Sequence, residues 1–296
     1  MRPVSWVKRK RFLATAGLGL SGILAAILLR ARETRSIRID WPASFAHRGS
    51  SALAPENTLE AFGLAVEAGA GGLELDVHMT RDGEIVVIHD ARVDRTTQGS
   101  GAVADMALAE LRGLDAGYRF RSDGGRTHPY RGRGVRIPAL AEVYEEFPAT
   151  SVNVDIKAPQ PGVEKAVVQV IREAGAEGRS LVVSNVHAVV RRFRRVCGGR
   201  ISTGASRREI AVFYVLSRLH LEKLARPAYD ALQVPVDYRG ISLVTPRLVE
   251  AAHSRGVRVD AWTINDPGEM RCLLDLGVDV IMTDRPETLA SMLGEL

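Results

Sequence analysis

The 296-residue chain has two cysteines, Cys197 and Cys272, and no Cys-x-x-Cys pair. This rules out a cysteine zinc site and a disulfide framework, and both residues are expected to be free, buried thiols. Aromatic residues make up only 5%, so the core must be largely aliphatic. No Gly-rich phosphate turn follows the first strand candidate, which argues against a doubly wound dinucleotide-binding sheet. Acids are almost missing from residues 1–38, where nine Lys or Arg face Glu33 alone for a net +8. The whole chain is +5, so the remainder is −3. The body is therefore not a basic nucleic-acid binder, and the high pI belongs to the tail.

The tail frames an uncharged apolar run, Phe12 to Leu29. As a helix at ~1.5 Å per residue it would span about 27 Å, close to the hydrocarbon thickness of a bilayer. A cleaved signal has a shorter apolar region followed by a small-x-small site, and Leu28-Leu29-Arg30-Ala31-Arg32 is a poor one. Residues 1–39 are therefore expected to form an uncleaved, basic-flanked anchor with its transmembrane segment at 12–29. The slight basic excess on the N-terminal side favours an external catalytic domain, and the flanking arginines suit anionic headgroups.

From Trp41-Pro42 onward, short apolar strands alternate with amphipathic helices. The strands are expected at 43–48, 72–79, 151–157, 180–185, 200–204, 231–236, 257–264 and 279–283. The helices are expected near 58–69, 139–147, 162–174, 187–197, 207–225, 245–255, 267–275 and 286–294. Eight such units over residues 40–296 match the arithmetic of an α/β fold of the (β/α)8 TIM-barrel type. Asp82-Gly83 predicts a hairpin turn leading to an extra strand, Ile85 to Asp90. Residues 91–138, rich in Gly and Arg, read as a small insertion after the second strand, over the C-terminal mouth of the barrel. Within 207–225, Ile210, Val212, Phe213, Val215, Leu216, Leu219 and Leu221 make an apolar stretch wider than one stripe. Core burial is the first expectation there and a membrane-facing helix the second.

Two strands carry ionisable residues at alternate positions. Side chains alternate across a strand, so Glu74 and Asp76 share one face with Leu73, Leu75 and Val77 behind them. Asn153, Asp155 and Lys157 share a face in the same way. Three carboxylates gathered at a barrel rim repel one another unless a cation lies among them. Their hard oxygens suit Mg2+ or Ca2+, with Mn2+ a further candidate. Glu74, Asp76 and Asp155 are thus the expected metal ligands. His47 and His89 each end an apolar strand beside a charged residue, Arg48 or Asp90, and form the natural proton-transfer pair. Arg48 suits a phosphoryl oxygen, and Lys157 adds a second positive charge for a developing dianion. His78 lies on the Glu74–Asp76 face and is expected near the rim. Asn57-Thr58-Leu59-Glu60 reads as a helix cap at Asn57 with a capping-box Glu60.

Together these pieces resemble the glycerophosphodiester phosphodiesterase family of (β/α)8 barrels across residues 43–290. The resemblance rests on an ordered set: His47-Arg48-Gly49, Pro55-Glu56-Asn57-Thr58, Glu74-Leu75-Asp76-Val77, Thr80-Arg81-Asp82-Gly83, Val87-Ile88-His89-Asp90, Asn153-Val154-Asp155-Ile156-Lys157, Trp262-Thr263-Ile264-Asn265 and Thr283-Asp284. It implies metal ligation by Glu74, Asp76 and Asp155, acid–base roles for His47 and His89, phosphate contacts from Arg48 and Lys157, and Trp262 at the mouth. Position 155 is Asp where the family more often has Glu, and the anchor is not a general family feature. The expected reaction is hydrolysis of a glycerophosphodiester to sn-glycerol 3-phosphate and an alcohol, with a small-molecule substrate and no nucleic acid. Two alternatives are a membrane-associated lysophospholipase D acting on lysophospholipids and a catalytically dead, membrane-tethered lipid-binding protein.

Overall fold

The computed structural model of the chain describes residues 41–122 and 125–294. The predicted transmembrane segment at 12–29 lies outside them. Among the described residues no helix is long and apolar enough to cross a membrane.

The first strand, β1 (Ser44–His47), lies between β2 (Gly72–Met79) and β11 (Val280–Thr283). The parallel order continues from β2 through β4 (Ser151–Ile156) and β5 (Ser180–Val183) to β6 (Ser202–Thr203). On the other side it runs from β11 through β10 (Arg258–Trp262) to β7 (Ala231–Pro235), with a small antiparallel hairpin, β8 (Asp237–Tyr238) and β9 (Ile241–Ser242), between β7 and β10 in the chain. A parallel bridge from Gly204 to Ala231 joins the two ends. That closure, with eight parallel strands, is a barrel and not the open sheet.

The helices pack outside and alternate with the strands. These are α1 (Leu59–Glu67), α3 (Leu140–Glu146), α4 (Val163–Glu173), α5 (His187–Cys197), α6 (Arg207–Arg218), α7 (Pro246–His253), α8 (Pro267–Asp275) and α9 (Pro286–Gly294). The outward residues of β2 and β4 (Leu73, Leu75, Val77, Val152, Val154, Ile156) meet Phe62, Val167, Ile171 and Phe193 from the helices. Val234, Val259 and Ala261 meet Leu248, Met270 and Leu289 on the far side. The alternation of apolar residues on each strand thus builds the layer between barrel and helices.

Inside the barrel, Trp41 packs on Leu181 and Ala231 at the N-terminal end, with the Arg258 guanidinium 4.4 Å above its ring. Above it lies a buried polar run: Asn153 Nδ2 donates to Gln233, Gln233 donates to Asp260, and Arg258 pairs with Asp260 at 3.0 Å.

The extra strand forms as β3 (Ile85–Val87), antiparallel to β2. Residues 91–138 follow it, with the short α2 (Leu108–Arg112). They have a core of their own: Val93, Val103, Leu111, Val135 and Ile137 pack on Val86 and Ile88. Arg119 and Arg131 donate to the carbonyls of Thr97 and Tyr118, so they hold the insertion together and are not held out for a ligand.

Three local expectations are corrected. Thr58, not Asn57, caps α1: its hydroxyl accepts from Ala61 N, while Asn57 sits at φ +59°, a conformation no N-cap adopts. Cys272 is exposed, because α8 turns Met270 and Leu273 inward and leaves position 272 outside; Cys197 is buried as expected. The predicted helix 207–225 ends at Arg218, followed by His220 in the left-handed region. Only Phe213 of its large apolar residues is fully buried, and Val212, Val215, Leu219 and Leu221 are exposed.

Candidate active site

Register brings the predicted residues of β1, β2 and β4 to two adjacent levels at the C-terminal mouth. His47 pairs with Glu74 across β1 and β2, and Asp76 pairs with Asp155 across β2 and β4. Just after β1 the chain reverses through Arg48 (φ +58°) and Gly49 (φ +84°). A Cβ on Gly49 would lie 2.6 Å from the Ala61 carbonyl carbon, so the turn can approach α1 only with glycine there.

His47 and His89 are wired alike. His47 Nδ1 lies 2.7 Å from Asp284 Oδ1, and His89 Nδ1 lies 2.5 Å from Asp90 Oδ1. Burial works against ionisation of Asp284, but the hydrogen bond from His47 and that from Asn265 bring its pKa down to about 2. Asp90 is likewise about 2, where burial is outweighed by Arg95 and His89. An ionised carboxylate only accepts, so each Nδ1 carries a proton and Nε2 is the nitrogen left to take or give one. His47 Nε2 faces Glu74 Oε2 at 4.0 Å. Burial opposes the imidazolium of His47, yet Asp284 and Glu74 together raise its pKa. His78 donates from Nε2 to the His89 carbonyl at 3.1 Å, and burial lowers its pKa. His78 thus holds the backbone at His89.

The carboxylates are arranged less simply than the sequence implied. Lys157 Nζ lies 2.7 Å from both Asp76 Oδ1 and Asp155 Oδ2. Arg48 Nε lies 3.0 Å from Asp76 Oδ2, and its Nη1 donates to Glu56 at 3.0 Å. Arg95 donates to Glu56 and to Asp90 in turn. A chain of alternating charge thus runs Asp90, Arg95, Glu56, Arg48, Asp76, Lys157, Asp155. The cations among these acids are in the first place side chains, not a bound dication as expected: Arg48 and Lys157 already serve Asp76 and Asp155. Against burial, Lys157 and Arg48 lower the pKa of Asp76; burial raises that of Asp155 in spite of Lys157. Among the described residues no Lys or Arg side chain pairs with Glu74, whose Oε2 accepts from the Arg48 backbone N–H at 3.1 Å; burial and the Asp76 charge push its pKa up to about 7.

Among the described residues no three His, Cys, Asp or Glu side chains converge as a ready-made ion cage. The donors present nevertheless suit a hard dication. All are oxygens, Asp155 Oδ1 is buried without a hydrogen bond, and Glu74 is a carboxylate short of positive charge.

Asp284, Glu56 and Arg95 have no role in the sequence reading, and Asn57 has only that of a helix cap. Asn57 donates from Nδ2 to Asp76 Oδ2 at 2.8 Å and accepts from Asp76 N. Its place in the Pro-Glu-Asn-Thr stretch was the available signal, but it also fitted a cap. Trp262 ends β10 and is 37% exposed. No polar contact ties it to the residues above.

The model of the glycerophosphoryl diester phosphodiesterase family matches residues 47–288. A glycerophosphodiester phosphodiesterase of Caldanaerobacter subterraneus subsp. tengcongensis is 36% identical over 258 residues, 83% of this chain and 96% of that one. Among solved structures, the glycerophosphoryl diester phosphodiesterase domain of a Mycobacterium tuberculosis protein superposes with TM-score 0.75 at 24% identity, covering 86% of this chain and 100% of the domain. An Oleispira antarctica phosphodiesterase, solved with the product sn-glycerol-3-phosphate, superposes with TM-score 0.68 at 27% identity, covering 86% and 97%. With the matched region spanning the barrel from His47 onward, this chain belongs to the glycerophosphoryl diester phosphodiesterase family.

Proposed function

We propose that the protein hydrolyses a glycerophosphodiester to sn-glycerol 3-phosphate and the free alcohol, with His47 and His89 as the proton-transfer pair and one divalent cation. One observation carries the reading: two histidines, each with Nδ1 against an ionised carboxylate, stand with a buried, charge-lined group of acids and bases. Family membership and the product bound in the Oleispira antarctica relative support the substrate class.

In this reading Glu74, Asp76 and Asp155 would hold the cation. When bound, it withdraws charge from a phosphoryl oxygen. Arg48 and Lys157 supply fixed positive charge beside the phosphate. His47, with Nε2 unprotonated, takes the proton of the attacking hydroxyl, either the substrate's glycerol 2-OH or water. His89, protonated at Nε2, gives a proton to the leaving alkoxide. Attack by the 2-OH passes through a cyclic phosphate that water then opens. Trp262 offers an apolar face at the mouth. Residues 1–39 remain a membrane anchor in this reading, with 12–29 as the spanning segment and the barrel outside the cytoplasm.

The test is a substrate panel on the purified protein, with and without chelator. Glycerophosphocholine and related diesters should be cleaved, with activity lost on chelation and restored by Mg2+, Ca2+ or Mn2+. Cleavage of lysophosphatidylcholine in preference to glycerophosphocholine would replace the reading with a lysophospholipase D. No turnover of any diester with all three ions supplied would overturn it in favour of a lipid-binding barrel.

A further inference from the structure

Charge is distributed very unevenly around the barrel. Residues 187–226 carry ten Lys or Arg against two acids, a net +8, although residues 39–296 sum to −3. These forty residues supply two neighbouring helices on the outside of the barrel, α5 and α6. On α5, Arg191 and Arg195 are exposed one helical repeat apart, while Val189, Val190 and Phe193 face the core. On α6, Arg208, Val212, Val215 and Leu219 follow the spacing of one helix face, and all four are exposed. Val212 and Val215 are 54% exposed and Leu219 is 60%. The opposite face is satisfied: Ile210, Tyr214 and Leu216 pack on the core around Phe213. The stripe is thus a second apolar face on a helix that has already used its first.

A row of aliphatic side chains beside exposed arginines, with almost no acids, is the chemistry of a helix lying on an anionic bilayer surface. A core-forming partner would want the apolar stripe without the arginines. A nucleic acid would want the arginines without the aliphatic side chains. Placement agrees. Trp41, which follows the basic-flanked apolar run in sequence, lies under the N-terminal end of the strands. A helix between two parallel strands runs back to that same end. Leu219, and beyond it the exposed Leu221 and Leu224, therefore lie towards the end that holds Trp41.

We infer that the outward face of α5 and α6, formed by Arg191, Arg195, Arg208, Val212, Val215 and Leu219, docks on an anionic phospholipid surface. The inference stands apart from the proposed reaction and does not require the predicted anchor, since the exposed side chains of the barrel carry it and the anchor only agrees with their placement.

The test uses the full chain in nanodiscs and in detergent. An environment-sensitive fluorophore is placed at Val215→Cys in a Cys272→Ser background, with Glu67→Cys on α1, across the barrel, as the control site. Expected is a shift of Val215→Cys emission to shorter wavelength in phosphatidylglycerol nanodiscs, reversed by high salt, with no shift in phosphatidylcholine nanodiscs and none at the Glu67→Cys site. Arg191→Glu, Arg195→Glu and Arg208→Glu together should abolish the shift while the melting temperature stays unchanged. Equal emission in both lipids, or an equal shift at the control site, overturns the inference. So does a shift already present in detergent: if it grows with protein concentration a second copy covers the face, and if it does not, the chain's own N-terminal segment does.

Discussion

His47 and His89 approach the mouth from different strands, yet each has its Nδ1 hydrogen fixed by a carboxylate whose pKa is about 2. Replacing either by Ala should lower kcat by ~10²–10⁴ with a modest change in KM, measured on glycerophosphocholine; full activity of either variant would remove the histidine from the chemistry. Asp284→Asn should act more mildly than His47→Ala. It leaves the ring in place but removes the charge that raises its pKa, so the basic group in the pH–rate profile should titrate at lower pH than in the parent. Sequence alternation was enough to select Glu74, Asp76, Asp155 and Lys157, because each lies on a strand whose other face is apolar or, for Lys157, directly follows one. It could not select Asp284, whose partner His47 is 237 residues away, nor Arg95, which reaches Glu56 from a single 3-10 turn, Val93–Arg95, too short for a periodic pattern. Such contacts exist only once the barrel has closed.

At the scale of elements, the turn after β1 is the most constrained piece of backbone near the site. Gly49→Ala must place a methyl 2.6 Å from the Ala61 carbonyl carbon at φ +84°. It should destabilise the protein by roughly 1–3 kcal/mol, read from the urea midpoint; an unchanged midpoint would show that the turn relaxes freely. All eight strands were legible from short apolar runs separated by helical patterns, including the short β6, whose pairing the barrel completes through Gly204. The outward stripe of α6 was legible as apolar residues but not as exposed ones. Seven hydrophobes in that stretch exceed what one core-facing stripe can bury, and only the packing of β6 and β7 decides which remain outside. Asn57 was misread for a related reason: a polar residue before a helix fits a cap until its φ is known.

For the molecule as a whole, the buried charges set how stability depends on pH. Glu74 rises from 4.5 to about 7 in the fold, so the native state keeps a proton that the unfolded chain has released, and stability falls as pH rises through that window. The limit from this group is about 3 kcal/mol. His47, whose pKa is raised above 6.5, contributes stability that is complete below that value and lost as pH rises through its folded pKa, which is the same sign. Asp90 and Asp284 contribute stability present above 3.8 and lost as pH falls through about 2. Chelated protein should therefore melt at lower temperature near pH 8 than near pH 5, by calorimetry. A divalent cation should raise the melting temperature more at the higher pH, where it meets an ionised Glu74; equal gains at both would place the ion elsewhere. The most direct test of the central claim is the phosphorus NMR spectrum of glycerophosphocholine incubated with the protein and a divalent cation, beside His47→Ala and His89→Ala. The expected result is conversion to sn-glycerol 3-phosphate by the parent and near-complete loss in both variants. Undiminished conversion by either variant, or an untouched diester with the parent, would contradict it.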